Sequence, residues 1–468
     1  MSASNKTLRP LTQAARRRPA APVRIIHIGL GAFHRSHQAW YTAHASDASE
    51  WGIAAFTGRA GGSGDAMLKV LRDQDCLYTL TTRGPSEDEV EVIDSIVAAH
   101  SITDGDAFMA YLERPSTAIV TTTVTEAGYR LDADGEPDWS DPVVSADVAS
   151  LASGGAGSTP LALITVGLEA RRRAGAGPIA ILPCDNMPNN GSTVRRAVLS
   201  YASRVSEQLV EWVETQVAFV STSVDRITPR FSDGDVDGPR RAGIVDEIPV
   251  VTEPFASWIL CGDFPAGRPH WESAGAQFTE DITPFDTRKL WLLNGAHTAL
   301  AALGLARGAE TVASATRDAT CRSLVEGFWS EAVRHLPGFV DSDRYCRDLW
   351  ERFDNPRIAH RLKQIAEDSS TKLTIRVAPV ALAELAAHRS ADGSAAVLAS
   401  WINVVLHHGR YRDAQADDID NALGKTDPVA ALIALVSETL ARSGGFVEQV
   451  RAHVRDDPSR TVAGSNGA

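Results

Sequence analysis

The chain has 468 residues, 44% of them hydrophobic and 22% charged, with a formal net charge of −13. That length exceeds one ordinary domain, and the composition is that of a globular protein with ample material for a core. The acidic balance argues against nucleic acid or an anionic membrane as partner, because phosphates are met by basic surfaces, and no apolar run approaches the roughly 20 residues that cross a bilayer.

Residues 1–22 read as a flexible polar leader. Arg16-Arg17-Arg18 leads into Pro19-Ala-Ala-Pro22 and not into the apolar stretch of a signal peptide. From Val23 to 285, short β-rich runs alternate with helical stretches. Strands are expected at Val23–Ile28, Gly52–Thr57, Ala118–Val124, Ile179–Pro183 and Val217–Ser223, and helices at Leu161–Ala174 and Thr193–Gln216. Strands at helix-length intervals imply parallel βαβ units. Thr283-Pro284 then reads as an N-cap followed by proline at the first helical position. Beyond it only helical patterning recurs, over 286–305, 321–335, 341–353, 357–367, 376–389, 395–408, 427–441 and 446–455. An α/β part therefore gives way near 285 to an α-helical part, which ends in a flexible tail over 457–468. The five cysteines, Cys76, Cys184, Cys261, Cys321 and Cys346, are scattered and form no CxxC pair. This fits a reducing compartment, with a cytoplasmic enzyme as the default, and neither a disulfide framework nor a zinc site.

The first chemical motif follows the first strand. Gly29-Leu-Gly31-Ala32-Phe33-His34-Arg35 is a glycine turn between a strand and helical material, the setting of a dinucleotide site. Gly29 permits a tight turn and Gly31 a close approach to a pyrophosphate on the helix N-terminus. His34 stands where the usual fingerprint has a third glycine, and a plain strand–helix turn is the alternative. The second strand ends at Phe56-Thr57-Gly58-Arg59 with no acid at its tip. An acid there favours NAD, whereas Arg59 suits the 2′-phosphate of NADP. His34 and His37 lack a third ligand at metal spacing, so no metal is expected.

Two later loops follow strands, where ligands bind in open α/β sheets. Asn186, in Pro183-Cys-Asp-Asn-Met-Pro, can donate an amide N–H to a developing oxyanion; an Asx turn is its simpler reading. Asp225, in Ser223-Val-Asp-Arg-Ile-Thr-Pro229, can accept from a substrate hydroxyl, or pair structurally with Arg226. In the helical part, Lys289-Leu-Trp-Leu-Leu-Asn294-Gly-Ala-His297 embeds an amine, an amide and an imidazole in apolar sequence. On an α-helix Asn294 lies about 140° and His297 about 80° from Lys289. A buried lysine loses basicity and becomes a usable base. The alternative is a core helix whose lysine snorkels. Lys372-Leu-Thr-Ile-Arg376 reads as the opening of a helix, with Arg376 either reaching a substrate oxygen or exposed.

Together these residues resemble the polyol-specific long-chain dehydrogenases, the mannitol dehydrogenase family. The likeness runs from about Ile25 to about Ala381. It rests on Gly29–Arg35, Thr123-Val-Thr-Glu-Ala-Gly-Tyr129, Cys184-Asp-Asn186, Val224–Pro229, Glu253-Pro-Phe, Gly267-Arg-Pro and Lys289-x4-Asn-x2-His297. The resemblance implies a Rossmann-type dinucleotide-binding domain over 23–285 and a mostly helical substrate and catalytic domain over 286–456, with the active site in the cleft between them. It implies metal-independent hydride transfer with NAD, NADP not being excluded. Lys289 would be the base, and Asn186 and Asn294 the pair that polarises the carbonyl oxygen. His297, Asp225 and Arg376 would bind substrate, and Gly29, Gly31, Ala32, Phe33, His34 and Arg59 the coenzyme. Asp286 takes the place of a glutamate that serves proton exchange in some relatives. D-mannitol and D-fructose are the leading substrate pair. D-mannonate and D-fructuronate, or arabinitol, are the alternatives. A nucleotide-binding sensor without catalysis would be expected to have lost the lysine or an amide, and both are present. No coiled-coil seam is visible, and the family includes monomers.

Overall fold

The computed structural model describes residues 8–153, 155–358, 360–409 and 411–454. It divides into two compact units, Met1–Thr283 and Pro284–Ala468. Residues 1–7 of the expected leader and the expected tail over 457–468 lie outside the described residues. Among the described residues no helix is long and apolar enough to cross a membrane.

The first unit is built on six strands: β1 Val23–Ile28, β2 Gly52–Phe56, β3 Ile96–His100, β4 Ile119–Thr122, β5 Ile179–Pro183 and β6 Val217–Phe219. Every pairing among them is parallel, and the spatial order is β3-β2-β1-β4-β5-β6. This is the doubly wound Rossmann order, which reverses direction between β1 and β4. The strands are apolar on both faces because both are covered. Ile25, Ile53, Ala55, Ile119 and Leu182 join one core with Ala39 and Tyr41 of helix Gln38–His44 and Leu68 and Leu71 of helix Ser63–Asp73. Their strand neighbours Ile26, Ile28, Ala54, Val120 and Ile181 join the other, with Phe108, Leu163, Leu168 and Val194 from helices Gly105–Leu112, Pro160–Ala174 and Asn190–Ser203.

Several expectations change here. β3 was not anticipated, nor was the hairpin of Tyr78–Arg83 and Asp88–Ile93, whose threonines and acids hide its strand pattern. The expected strand Val217–Ser223 is two strands. β6 stays in the central sheet, and after Val220 the chain enters Ser221–Asp225, which pairs antiparallel with Ser257–Cys261 in a separate sheet. The expected helix Thr193–Gln216 breaks into Asn190–Ser203 and Glu207–Gln216, because Ser206 caps the second through the amide of Leu209.

The described part of the leader is anchored. Arg9 and Pro10 pair with Ile244 and Val245. Arg16 donates to the carbonyls of Asp94 (2.9 Å) and Asp75 (2.7 Å), Arg17 to that of Val92 (2.8 Å), and Arg18 to that of Ala43 (2.5 Å). The arginine triplet caps carbonyls with its planar forks instead of solvating a tail.

In the second unit, helix Asp392–His407 packs against Gly295–Ala306, Ala319–Ala332 and Gly444–Val454. Its Val397, Leu398, Ala399, Ile402 and Val404 are buried, as befits a helix surrounded by others. Helices Ser342–Phe353, Ala378–Ala386, Ala416–Leu423 and Pro428–Val436 are further elements of this unit. The helix expected over 357–367 is reduced to Leu362–Ile365.

Candidate active site

In the first unit, four loops leave the C-terminal edge of the parallel sheet side by side. Gly29 follows β1 with φ of +108°, and the amides of Gly29 and Leu30 both donate to Phe56 O at the end of β2. A Cβ on Gly29 would lie 2.3 Å from Thr123 O, so only glycine fits against the loop after β4. Thr123 locks that contact, its Oγ1 donating to Gly29 O (2.8 Å) and its N–H to Ile28 O (2.9 Å). Gly31 is extended and caps helix Ala32–Ser36, whose first-turn amides at Ala32, Phe33 and His34 have no partner within the helix. The turn thus sits where the strand order reverses, the position of a dinucleotide site.

The His34 imidazole is fully buried and stacks on His27, with ring centroids 3.3 Å apart. Burial, then the neighbouring His27, holds it well below its ordinary pKa. Its side chain is thus turned inward, and His34 offers its backbone to the turn. His37 instead bonds Ser257 O (2.9 Å). Gly58, after β2, lies against Gly29, since a Cβ there would be 3.4 Å from Gly29 Cα. The next residue, exposed Arg59, is therefore held beside the glycine turn.

The loop after β5 carries Asn186, which is exposed, next to Asp185, which is 4% exposed. Asp185 holds the loop through its carboxyl. Its carboxyl accepts from the amide of Val124 (2.5 Å), from Thr122 Oγ1 (3.0 Å) and from the Tyr129 phenol. Burial pushes the Asp185 carboxyl up to about 7, against these three donors. Asn190 fixes the other end of the loop. Its Nδ2 donates to Asp185 O (3.0 Å) and Thr222 O (2.9 Å), while its Oδ1 accepts from Thr222 N (2.9 Å). Thr222 belongs to the strand that ends at Asp225, so one buried amide ties the two loops that carry Asn186 and Asp225. Asp225 is buried, and Arg226 reaches Ser36 O (2.6 Å) and lies over the Trp40 ring.

In the second unit, Lys289 does not lie on an α-helix. Helix Thr283–Arg288, which carries partly buried Asp286, widens into a π-helix over Lys289–Asn294 and resumes as α over Gly295–Ala306. The Gly295 amide donates to Leu290 O, five residues back. In a π-turn, residues i and i+5 lie one turn apart. Lys289 and Asn294 are therefore drawn together on one face, nearer than the 140° that α geometry gives. Both are half-buried.

Arg376 closes helix Ser369–Arg376 and does not open one. It is partly buried and not free in solvent: its Nη1 donates to Asn294 O (3.3 Å) and Thr298 Oγ1 (3.2 Å), and burial lowers its pKa to about 10. His297, one turn on from Asn294, is 8% exposed and packs on Phe353 and edge-on to His360 at 4.6 Å. Burial, then His360, Arg352 and Arg376, hold it well below its ordinary pKa, so it is neutral. His360 is lowered to about 4 by burial and Arg352. The structure thus gathers Gly29, Gly31, Arg59 and Asn186 along one edge of the first unit, and in the second Lys289, Asn294 and His297 along one helical stretch, which Arg376 meets from another helix. The supporting residues Thr122, Thr123, Tyr129 and Asn190, and the basic neighbours Arg352 and His360, escaped the sequence reading. Only Thr123–Tyr129 had left a signal, as a motif without a role.

Residues 23–273 match the family model described as mannitol dehydrogenase Rossmann domain, and residues 281–456 that of the mannitol dehydrogenase C-terminal domain. D-mannonate oxidoreductase of Escherichia coli (strain K12) is 35% identical over 422 residues, 87% of this chain and 83% of that protein. Mannitol 2-dehydrogenase of Cereibacter sphaeroides is 32% identical over 402 residues, 84% and 83% of the two chains. The structure of Pseudomonas fluorescens mannitol 2-dehydrogenase, a ternary complex with NAD and D-mannitol, aligns with a TM-score of 0.77 at 31% identity, covering 98% of this chain and 96% of that one. A D-sorbitol dehydrogenase solved in substrate-free form aligns with a TM-score of 0.80 at 26% identity, covering 92% and 95%. With two family models spanning both compact units and relatives matched over most of their length, the chain belongs to the mannitol dehydrogenase family.

Proposed function

We propose that the protein is an NAD-dependent oxidoreductase that interconverts a secondary alcohol of a linear polyol or sugar acid with its ketone, using Lys289 as general base. The observation that carries this reading is the π-turn, which draws an amine and an amide to one face while Arg376 holds the amide's own backbone carbonyl. The glycine turn fits a dinucleotide. The first-turn amides of Ala32, Phe33 and His34 sit at the switch point of the sheet, where Gly29 and Gly31 would let the backbone approach a pyrophosphate. A dinucleotide held by this turn would supply the nicotinamide as hydride acceptor or donor.

In the oxidative direction, neutral Lys289 takes the proton of the substrate hydroxyl. The amides of Asn186 and Asn294 donate to that oxygen as negative charge develops on it, a role that needs fixed donors more than strong ones. Asp225, His297 and Arg376 bind the remaining hydroxyls. Neutral His297 both donates and accepts, which suits a hydroxyl. Asp286, three residues before Lys289 in the chain, would pass the proton on.

D-mannitol, giving D-fructose, is the first substrate on this reading. The pair D-mannonate and D-fructuronate is the second, because Arg352 and Arg376 lie close to His297 and their charge would favour a carboxylate. Initial rates with mannitol, arabinitol, mannonate and altronate, each with NAD and NADP, test the proposal by coenzyme reduction. Absence of turnover with every substrate would leave a binding protein instead.

A further inference from the structure

A π-turn costs regular hydrogen bonds, and the second unit shows how this one is compensated. Where the wide turn returns to the α-helix, the amide of Gly295 is shared between Leu290 O and Leu292 O. Leu292 is fully buried, and in an unbroken α-helix its carbonyl would take the amide four residues on. Here, besides its share of the Gly295 amide, it accepts from outside the helix: the indole Nε1 of Trp329 donates to it at 2.8 Å. Trp329 lies on helix Ala319–Ala332, which comes close enough that a Cβ on Gly295 would be 2.5 Å from the preceding Phe328 ring. The indole is itself 5% exposed and wedged against Trp350 at 4.9 Å. An added hydrogen bond to a buried carbonyl stabilises the geometry that makes it, so a second donor aimed at Leu292 O from a fixed helix, beside the Gly295 amide, favours the wide turn over the α-helix that competes with it. That α-helix would swing Lys289 about 140° from Asn294.

We infer that Trp329 is a positioning residue. It holds the π-turn through Leu292 O and so keeps Lys289 and Asn294 on one face. The inference rests on the proposed roles of Lys289 and Asn294, and it adds a residue that touches neither substrate nor coenzyme.

The test is Trp329→Phe, which keeps an aromatic ring in the pocket and removes the N–H, measured beside Lys289→Ala in the full-length protein. Misplacement of reacting groups lowers turnover with little effect on remote binding. The expected result is a kcat about tenfold lower or worse, a coenzyme KM within about twofold, and a displaced pH profile of kcat. Amide hydrogen exchange across Leu292–Ala296 should also speed up, which reports the turn itself apart from activity. If folded Trp329→Phe keeps kcat within about twofold and the same pH profile, while Lys289→Ala is inactive, Trp329 has no positioning role and the base assignment stands. If Lys289→Ala remains active, the base assignment falls, and the inference with it. Should the phenylalanine variant fail to fold, 3-benzothienylalanine at 329 retains the indole's shape without its N–H, and the same criteria apply.

Discussion

Tyr129 donates its phenol to the buried carboxyl of Asp185, joining the loop after β4 to the loop that carries Asn186. Thr122 and the Val124 amide complete the set, so one carboxyl gathers three donors from one neighbouring segment. Asn186 is exposed and its position derives from these buried neighbours.

The pH dependence of stability reads this network. The folded pKa of Asp185, about 7, lies above the ordinary value of about 3.9. Its contribution is therefore fully present below about pH 4 and is lost as pH rises through about 7. The melting temperature of the parent relative to Asp185→Asn should be most favourable near pH 4 to 5 and decline toward pH 8. Tyr129→Phe removes a donor to the ionised form, so it should move this decline to higher pH. A difference that is flat with pH would mean that Asp185 is ionised in the fold throughout.

Two glycine substitutions separate folding from coenzyme binding. Gly29→Ala forces a Cβ to 2.3 Å from Thr123 O at φ of +108°. It should destabilise the protein by at least about 2 kcal/mol, seen as a lower denaturant midpoint. Gly31 is extended, and its Cβ would meet only Gly29 O, at 3.5 Å. Gly31→Ala should fold normally yet weaken NAD binding about tenfold or more, because it blocks approach to the turn. Normal NAD affinity in Gly31→Ala would move the pyrophosphate away from this turn.

The parallel sheet was legible because β1, β2, β4 and β5 are short apolar runs ended by turn residues, and two-sided burial demands that pattern. The Tyr78–Ile93 hairpin was not, since its threonines and the acids of Asp88–Ile93 blur the alternation, and β3, Ile-Val-Ala-Ala-His, is a short run whose alanines give little strand signal. Lys289, Asn294 and His297 stood out as polar groups in apolar sequence. The segment was still read as an α-helix, because the π-turn is stabilised by Trp329 from a helix more than 30 residues away, and periodicity cannot see that donor. The position of Arg376 at a helix end, and its burial, were missed for the same reason: its partners, Asn294 O and Thr298, are remote in sequence.

Coenzyme preference should turn on Arg59. It is exposed and follows Gly58, which packs on Gly29. A guanidinium there can meet a 2′-phosphate, whereas an acid would hydrogen-bond the free ribose hydroxyl. Arg59→Asp should raise the ratio of kcat/KM with NAD to that with NADP by about tenfold or more, the size of one charge-assisted contact. An unchanged ratio would place the ribose elsewhere.

Substrate charge should be felt at Arg376. Its guanidinium binds Asn294 O and Thr298 Oγ1 and, with Arg352, lowers the pKa of His297. Since His297 is neutral, the positive charge of this cluster at assay pH comes from the two arginines. Arg376→Lys keeps the charge but loses the planar fork. It should raise KM for any substrate bound here by a similar factor, because the loss is positional. Arg376→Met also removes the charge. A sugar acid should then suffer an additional rise in KM of about tenfold over a neutral polyol, the worth of one partly buried ion pair. Equal losses for mannonate and mannitol in Arg376→Met would show that the arginine reads hydroxyls alone, and would favour the neutral polyol as substrate.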